Sequence, residues 1–97
     1  MKLEKRIEIL TQLGHYLSTD NPAYLETRQL AYLENKWFLP EYALHAGNAI
    51  AKNMLKPEIL RSFAQKYKVP DDSNPSLRVG IVFAGNIPYV GLHDLIC

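Results

Sequence analysis

Prolines at positions 22, 40 and 57 decide most of what the first 69 residues can become. A proline has no amide hydrogen for a helix interior, and its ring collides with the preceding turn. It is well tolerated in the first turn of a helix, where that hydrogen has no partner anyway. Each of the three precedes a segment that reads as helical, so each marks a helix start. Residues 2–18 form a helix ahead of them. Leu3, Ile7, Leu10, Leu13 and Leu17 recur at spacings of three and four and share one face, with Lys5, Glu8 and Gln12 on the other. Asp20-Asn21-Pro22 ends it. Asn21 is a good cap for the second helix, which runs to about Glu34 with Leu25, Leu30 and Leu33 directed to the core. "NKWFLPE" is a connector in which Trp37 and Phe38 plug the joint between helices two and three. The third helix spans about 40–54. Its start rests on Pro40 alone, because Leu39 is a poor cap. Gly47, in mid-helix, costs about 1 kcal/mol against Ala and would permit close helix packing. "KPEILRSFAQKY" is the fourth helix, with Pro57 and Glu58 in its first turn and Ile59, Leu60, Phe63 and Tyr67 as its apolar stripe.

The texture changes at "VPDDSNPS", a loop by composition and the best boundary in the chain. After it, "LRVGIVFAG" reads as a strand. Val79 to Ala84 is apolar without alternation, the pattern of a strand covered on both faces in a parallel sheet. "GNIP" ends it, and "YVGLHDLIC" reads as the opening turns of a helix. A strand covered on both faces needs neighbours, and no second strand is legible. The expected fold is therefore mostly α, about four helices followed by one strand–turn–helix start. It would be the N-terminal piece of a longer α/β protein: a helical region at 1–69, a loop at 70–76, and at 77–97 the truncated start of a dinucleotide-binding α/β unit.

Composition excludes several function classes. With 47% hydrophobic and 22% charged residues the chain is globular, and 97 residues make one domain at most. A net charge of +1 gives no basic field to attract nucleic acid or an anionic membrane. The lone cysteine, Cys97, allows no internal disulfide and fits a reducing compartment. "MKLEKRIEIL" has no uninterrupted apolar core of a signal peptide, and no run approaches the roughly 20 residues of a membrane span. A cytoplasmic protein is the expectation. His15, His45 and His93 lack mutual metal spacing, so no metal is expected, and His93 and Asp94, adjacent on a helix, should not face each other.

"GIVFAGNIPYVGLHDLIC" resembles the first strand and turn of the cofactor domain in the bacterial acyl-CoA reductase family, the bioluminescence-type fatty acyl reductases of the aldehyde dehydrogenase superfamily. "ENKWFLPE" and "ALHAGNAIAKNML" resemble the helical lead-in of its smaller members. The resemblance spans residues 22–97 and is sharp over 78–97. It implies reduction of a fatty acyl-CoA to an aldehyde with NADPH or NADH, through an acyl-cysteine intermediate. By the same resemblance Asn86 matches the asparagine whose amide helps hold the oxyanion, a charge that a fixed neutral donor stabilises without titrating. Phe83, Ala84 and Gly85 match the backbone beside the dinucleotide, and Gly85 would allow close approach of cofactor or substrate. The wider superfamily usually has a proline and a large aromatic before the asparagine. Ala84 and Gly85 depart from that and fit the acyl-CoA reductase branch better. The family's nucleophile lies further downstream, so Cys97 is read as a small buried hydrophobe. Three alternatives remain at this level. Asn86 can be a turn residue bonding its own backbone. The chain can be a small helical interaction module whose C-terminal strand joins a partner's sheet. The chain can also belong to a different enzyme built on the same kind of strand. Residues 78–84, a strand with no partner in its own chain, are expected to pair with a second copy.

Overall fold

Each of the three prolines occupies the first position of a helix. The structure, a computed structural model, describes residues 1–72 and 78–96. Its helices are α1 (Leu3–Leu17), α2 (Pro22–Glu34), α3 (Pro40–Asn53), α4 (Pro57–Lys66) and a short α5 (Leu92–Ile96). Asn21 caps α2: its Oδ1 accepts the amides of Ala23 at 3.0 Å and Tyr24 at 3.4 Å. Leu39 and Lys56 cap nothing with their side chains. Nor does Lys2, ahead of α1. Its cap comes from 68 residues away, where Asp71 Oδ1 accepts the Leu3 amide at 3.2 Å and Oδ2 takes Lys2 Nζ at 2.8 Å. Lys2 first, then the Leu3 amide, hold the Asp71 carboxyl below its ordinary value. Arg6 Nη2 donates to the Pro70 carbonyl at 2.6 Å, so the chain leaving α4 is strapped to the start of α1.

That exit is a Schellman turn built on a lysine. Val69 N–H reaches the Ala64 carbonyl at 2.9 Å and Lys68 N–H the Gln65 carbonyl at 3.3 Å, with Lys68 at φ 51°.

α3 is central, with α1 packed on it and on α4, and α2 packed on α3 as well. The core lies where α1 ends, α2 begins and α3 ends: Leu17, Tyr24, Ala51 and Leu55, surrounded by Leu10, Leu13, Ile50 and Met54. Two glycines set the spacing. A Cβ on Gly14 would stand 2.9 Å from the Leu55 Cβ, and one on Gly47 would stand 2.5 Å from the Tyr24 hydroxyl. Gly47 therefore admits Tyr24 onto the surface of α3, the close packing its mid-helix position predicts. Gly47→Ala should lower stability. Alanine regains about 1 kcal/mol of helix propensity, but a methyl forced into a filled site costs typically 1–3 kcal/mol, and buried Tyr24 cannot swing aside. A net loss of up to about 2 kcal/mol in urea unfolding is expected. Higher stability would mean that Tyr24 does not lie on α3.

Four expectations need correction. Leu25, Leu30 and Leu33 do not face the core, and Leu33 is 64% exposed; α2 buries Tyr24 and Arg28 instead. The reason is spacing. Positions 25 and 30 are five apart, which no helix face accommodates, whereas 24, 28 and 31 fall at four and three. Trp37 is 70% exposed and plugs nothing, while Phe38 is half-buried. Tyr67 follows the last turn of α4 and is exposed, its ring against Phe63 at 4.6 Å between centroids, while Leu60 and Ala64 carry the buried stripe. Finally, residues 78–84 form no strand, and Val82 is 99% exposed. The described residues contain no strand to pair with, so backbone groups at 78–84 remain open to water. Residues 73–76 of the expected 70–76 loop, residue 77 at the start of the expected α/β unit, and Cys97 lie outside the described residues.

Candidate site at the 85–91 turn

Residues 85–91 turn twice before α5 begins. Val90 N–H reaches the Ile87 carbonyl at 3.4 Å, and Leu92 N–H the Tyr89 carbonyl at 3.1 Å. In the first turn Pro88 holds the second position and Tyr89 the third, at φ 59°; in the second turn Gly91 holds the third, at φ 82°. A proline followed by a residue of positive φ is the type II pattern. Two such residues in succession delay the helix expected from Tyr89 until Leu92. The Phe83 ring occupies the space a Cβ on Gly91 would need, which ties the start of the turn to its end.

This double turn is docked on the helices. The Tyr89 and Tyr24 hydroxyls lie 2.5 Å apart, and Asn35 Nδ2 donates to the Gly85 carbonyl at 3.3 Å. Tyr89 and Ile96 pack against the core. Residues 85–96 thus belong to the same packed body as α1–α3. Burial, then the bond to Tyr24, pushes the Tyr89 phenol well above its ordinary value of 10.0. A proton retained in the folded state and lost in the unfolded one gives stability that is complete below pH 10 and declines above it. Unfolding midpoints measured across the alkaline range should therefore fall above about pH 10, and Tyr89→Phe should flatten that fall. An identical alkaline fall in both proteins would refute the buried phenol pair.

The residues singled out from the sequence fall on the outer side of this turn. Phe83 is partly covered by the Gly91 turn, and Ala84, Gly85 and Asn86 are exposed. A Cβ on Gly85 would meet nothing within 4 Å, so its lack of a side chain serves no packing among the described residues. The Asn86 amide makes no hydrogen bond to any described residue. It does not close the turn that contains it. Ala84, Gly85 and Asn86 thus form one accessible edge, with Phe83 behind it.

Sequence reasoning missed Tyr24, Arg28, Asn35 and Tyr89. The available signal was the four-three spacing of 24, 28 and 31, which places a tyrosine, an arginine and an alanine on one face of α2, with Asn35 just past its end. His93 Nδ1 and Asp94 Oδ1 lie 3.6 Å apart, closer than adjacency on a helix predicts, on a helix of only five residues. Among the described residues no group of three or more His, Cys, Asp or Glu side chains could hold a metal ion. No helix among them is long and apolar enough to cross a membrane. Compared with family models, with curated proteins and with solved structures, the chain matches none.

Proposed function

We propose that this chain is the N-terminal part of an NAD(P)H-dependent acyl-CoA reductase, acting on a fatty acyl thioester through an acyl-cysteine, with Asn86 as an oxyanion donor. Phe83, Ala84 and Gly85 would line the dinucleotide. The observation that carries the reading is the Asn86 amide, exposed and bonded to nothing among the described residues. An asparagine kept only for its turn would bond the neighbouring backbone. An amide held on a docked turn and left free is instead available to an oxygen that becomes negative during reaction. The nucleophilic cysteine and most of the cofactor site would lie outside these 97 residues. The test is acyl-CoA-dependent oxidation of NADPH and NADH by a longer reading frame containing this chain, with the 97-residue protein as control. Turnover by the longer protein and none by the control supports the proposal. Turnover by the control, or none by either, counts against it.

A second reading is favoured by a different observation, the exposure of Val79, Ile81, Val82 and Phe83 on backbone that no strand pairs. Such an edge recruits a strand from a partner or a second copy. Light scattering at several concentrations separates the readings. A mass of 11.1 kDa throughout excludes self-pairing; a concentration-dependent rise supports it.

A further inference from the structure

The 85–91 turn forms one wall of an open cleft over α2 and α3, and an arginine with no carboxylate partner among the described residues lines it. The cleft has a volume of about 200 Å³; its lining is mostly apolar, with Thr27, Arg28, Tyr24 and Tyr89 as its polar members. Arg28 is 5% exposed. Its Nε is buried with no hydrogen-bond partner, and no carboxylate among the described residues pairs with its guanidinium. The contact it does make is with the Tyr24 ring, 4.6 Å from the guanidinium carbon.

This arrangement is unfavourable as it stands. A guanidinium cannot shed its charge by deprotonating. Taking it out of water is costly unless an anion or several acceptors replace the lost hydration, and one aromatic face offsets only part of that. Among the described residues no carboxylate or hydrogen-bond acceptor takes the guanidinium, whose Nε alone is fully buried without a partner. A protein does not need arginine to fill apolar space at Arg28, since α2 has leucines at 25, 30 and 33 that it leaves exposed.

We propose that Arg28 is the anchor of a binding site for a small monocarboxylate with a short apolar chain. The carboxylate would take the planar fork of the guanidinium, whose geometry it matches. The two phenols carry two hydroxyl protons and their mutual bond uses one; the other is available to the ligand. Tyr89, a phenol far below its pKa at neutral pH, keeps its proton to donate. One guanidinium and two neutral hydroxyls match a single negative charge, and the apolar walls suit a hydrocarbon body rather than a phosphate or a nucleotide. The volume lies below the roughly 300 Å³ of a small drug-sized site, which limits the ligand to a head group and a few carbons. Ile87, Pro88 and Tyr89 come from the turn that carries Asn86, so an occupied cleft would hold that turn against α2. The site is independent of the reductase reading, for it needs nothing outside the chain.

The test is titration of the 97-residue protein with hexanoate, with hexan-1-ol and with inorganic phosphate, followed by two-dimensional amide and arginine-Nε NMR. Hexanoate should give saturable shifts at the Arg28 Nε–H and at the amides of Ala31, Ala43 and Tyr89. Hexan-1-ol and phosphate should bind at least about tenfold more weakly, and Arg28→Met should weaken hexanoate by a similar factor, the scale of losing a charge-assisted hydrogen bond. Should Arg28→Met fail to fold, the comparison of hexanoate with hexan-1-ol on the wild-type protein decides alone. No saturation, equal binding of the alcohol or of phosphate, shifts centred away from Arg28, or an Arg28→Met protein that binds equally well would each overturn the proposal.

Discussion

Leu55→Ala should destabilise the chain by about 2–5 kcal/mol. Leu55 is the most deeply buried large side chain, at 1% exposed, and sits just after α3 where α1 crosses it. Gly14 brings the α1 backbone so near that a Cβ added there would stand 2.9 Å from the Leu55 Cβ. That close approach makes the loss large. The surrounding backbone already touches, so the space vacated by the leucine cannot be filled by a small inward shift, and the cavity remains. A domain of this size has about 5–15 kcal/mol in total, so the variant should lose a large share of it. Urea unfolding followed by far-ultraviolet circular dichroism gives the number. Leu33→Ala, exposed on α2, is the internal reference and should change stability by no more than about 0.5 kcal/mol. If both variants unfold at the wild-type midpoint, the packing of α1 on α3 is wrong.

If the proposed reductase function holds, Asn86→Ala in a longer protein containing this chain should lower the chemical step by about 10²–10³, or roughly 2.7–4 kcal/mol. Folding should be untouched, because the side chain is exposed and bonded to no described residue. The loss should fall on kcat, and on kcat/KM by the same factor, since an oxyanion donor acts on the transition state more than on bound substrate. A rise in KM at constant kcat would make Asn86 a substrate contact only. An unfolded variant would return it to the role of a plain turn residue.

How much of this was legible in the sequence follows from which forces acted locally. Helix starts at Pro22, Pro40 and Pro57 are local chemistry, fixed by one missing hydrogen and one ring, and they fall where the sequence predicts. The Asn21 cap is local in the same sense. The face of α2 is a tertiary choice. Three leucines suggest a core stripe, but their spacing does not close on a helix, and the tyrosine, arginine and alanine that do share a face were passed over because arginine is not an expected core residue. The cap of α1 by Asp71 cannot be read locally at all, since 68 residues separate donor and acceptor. The apolar run at 79–84 shows the opposite failure. Its composition reads as a covered strand, yet a strand exists only with a partner, and the described chain supplies none. At the candidate site Phe83 to Asn86 stand out in the sequence only through a resemblance. Their anchoring through Tyr89, Tyr24 and Asn35 was not legible, because it depends on Gly47 leaving room for a ring on another helix.

The most direct measurement on the proposed chemistry omits the reductant. A thiolate that attacks an acyl-CoA carbonyl expels coenzyme A as its thiol and keeps the acyl group as a thioester. Without NADPH or NADH that acyl-enzyme has no hydride to accept and should accumulate. A longer protein containing this chain, incubated with a fatty acyl-CoA and then digested and analysed by mass spectrometry, should carry one acyl group on a single cysteine other than Cys97, with an equal amount of coenzyme A released. No acylated cysteine, or acylation confined to Cys97, would contradict the account.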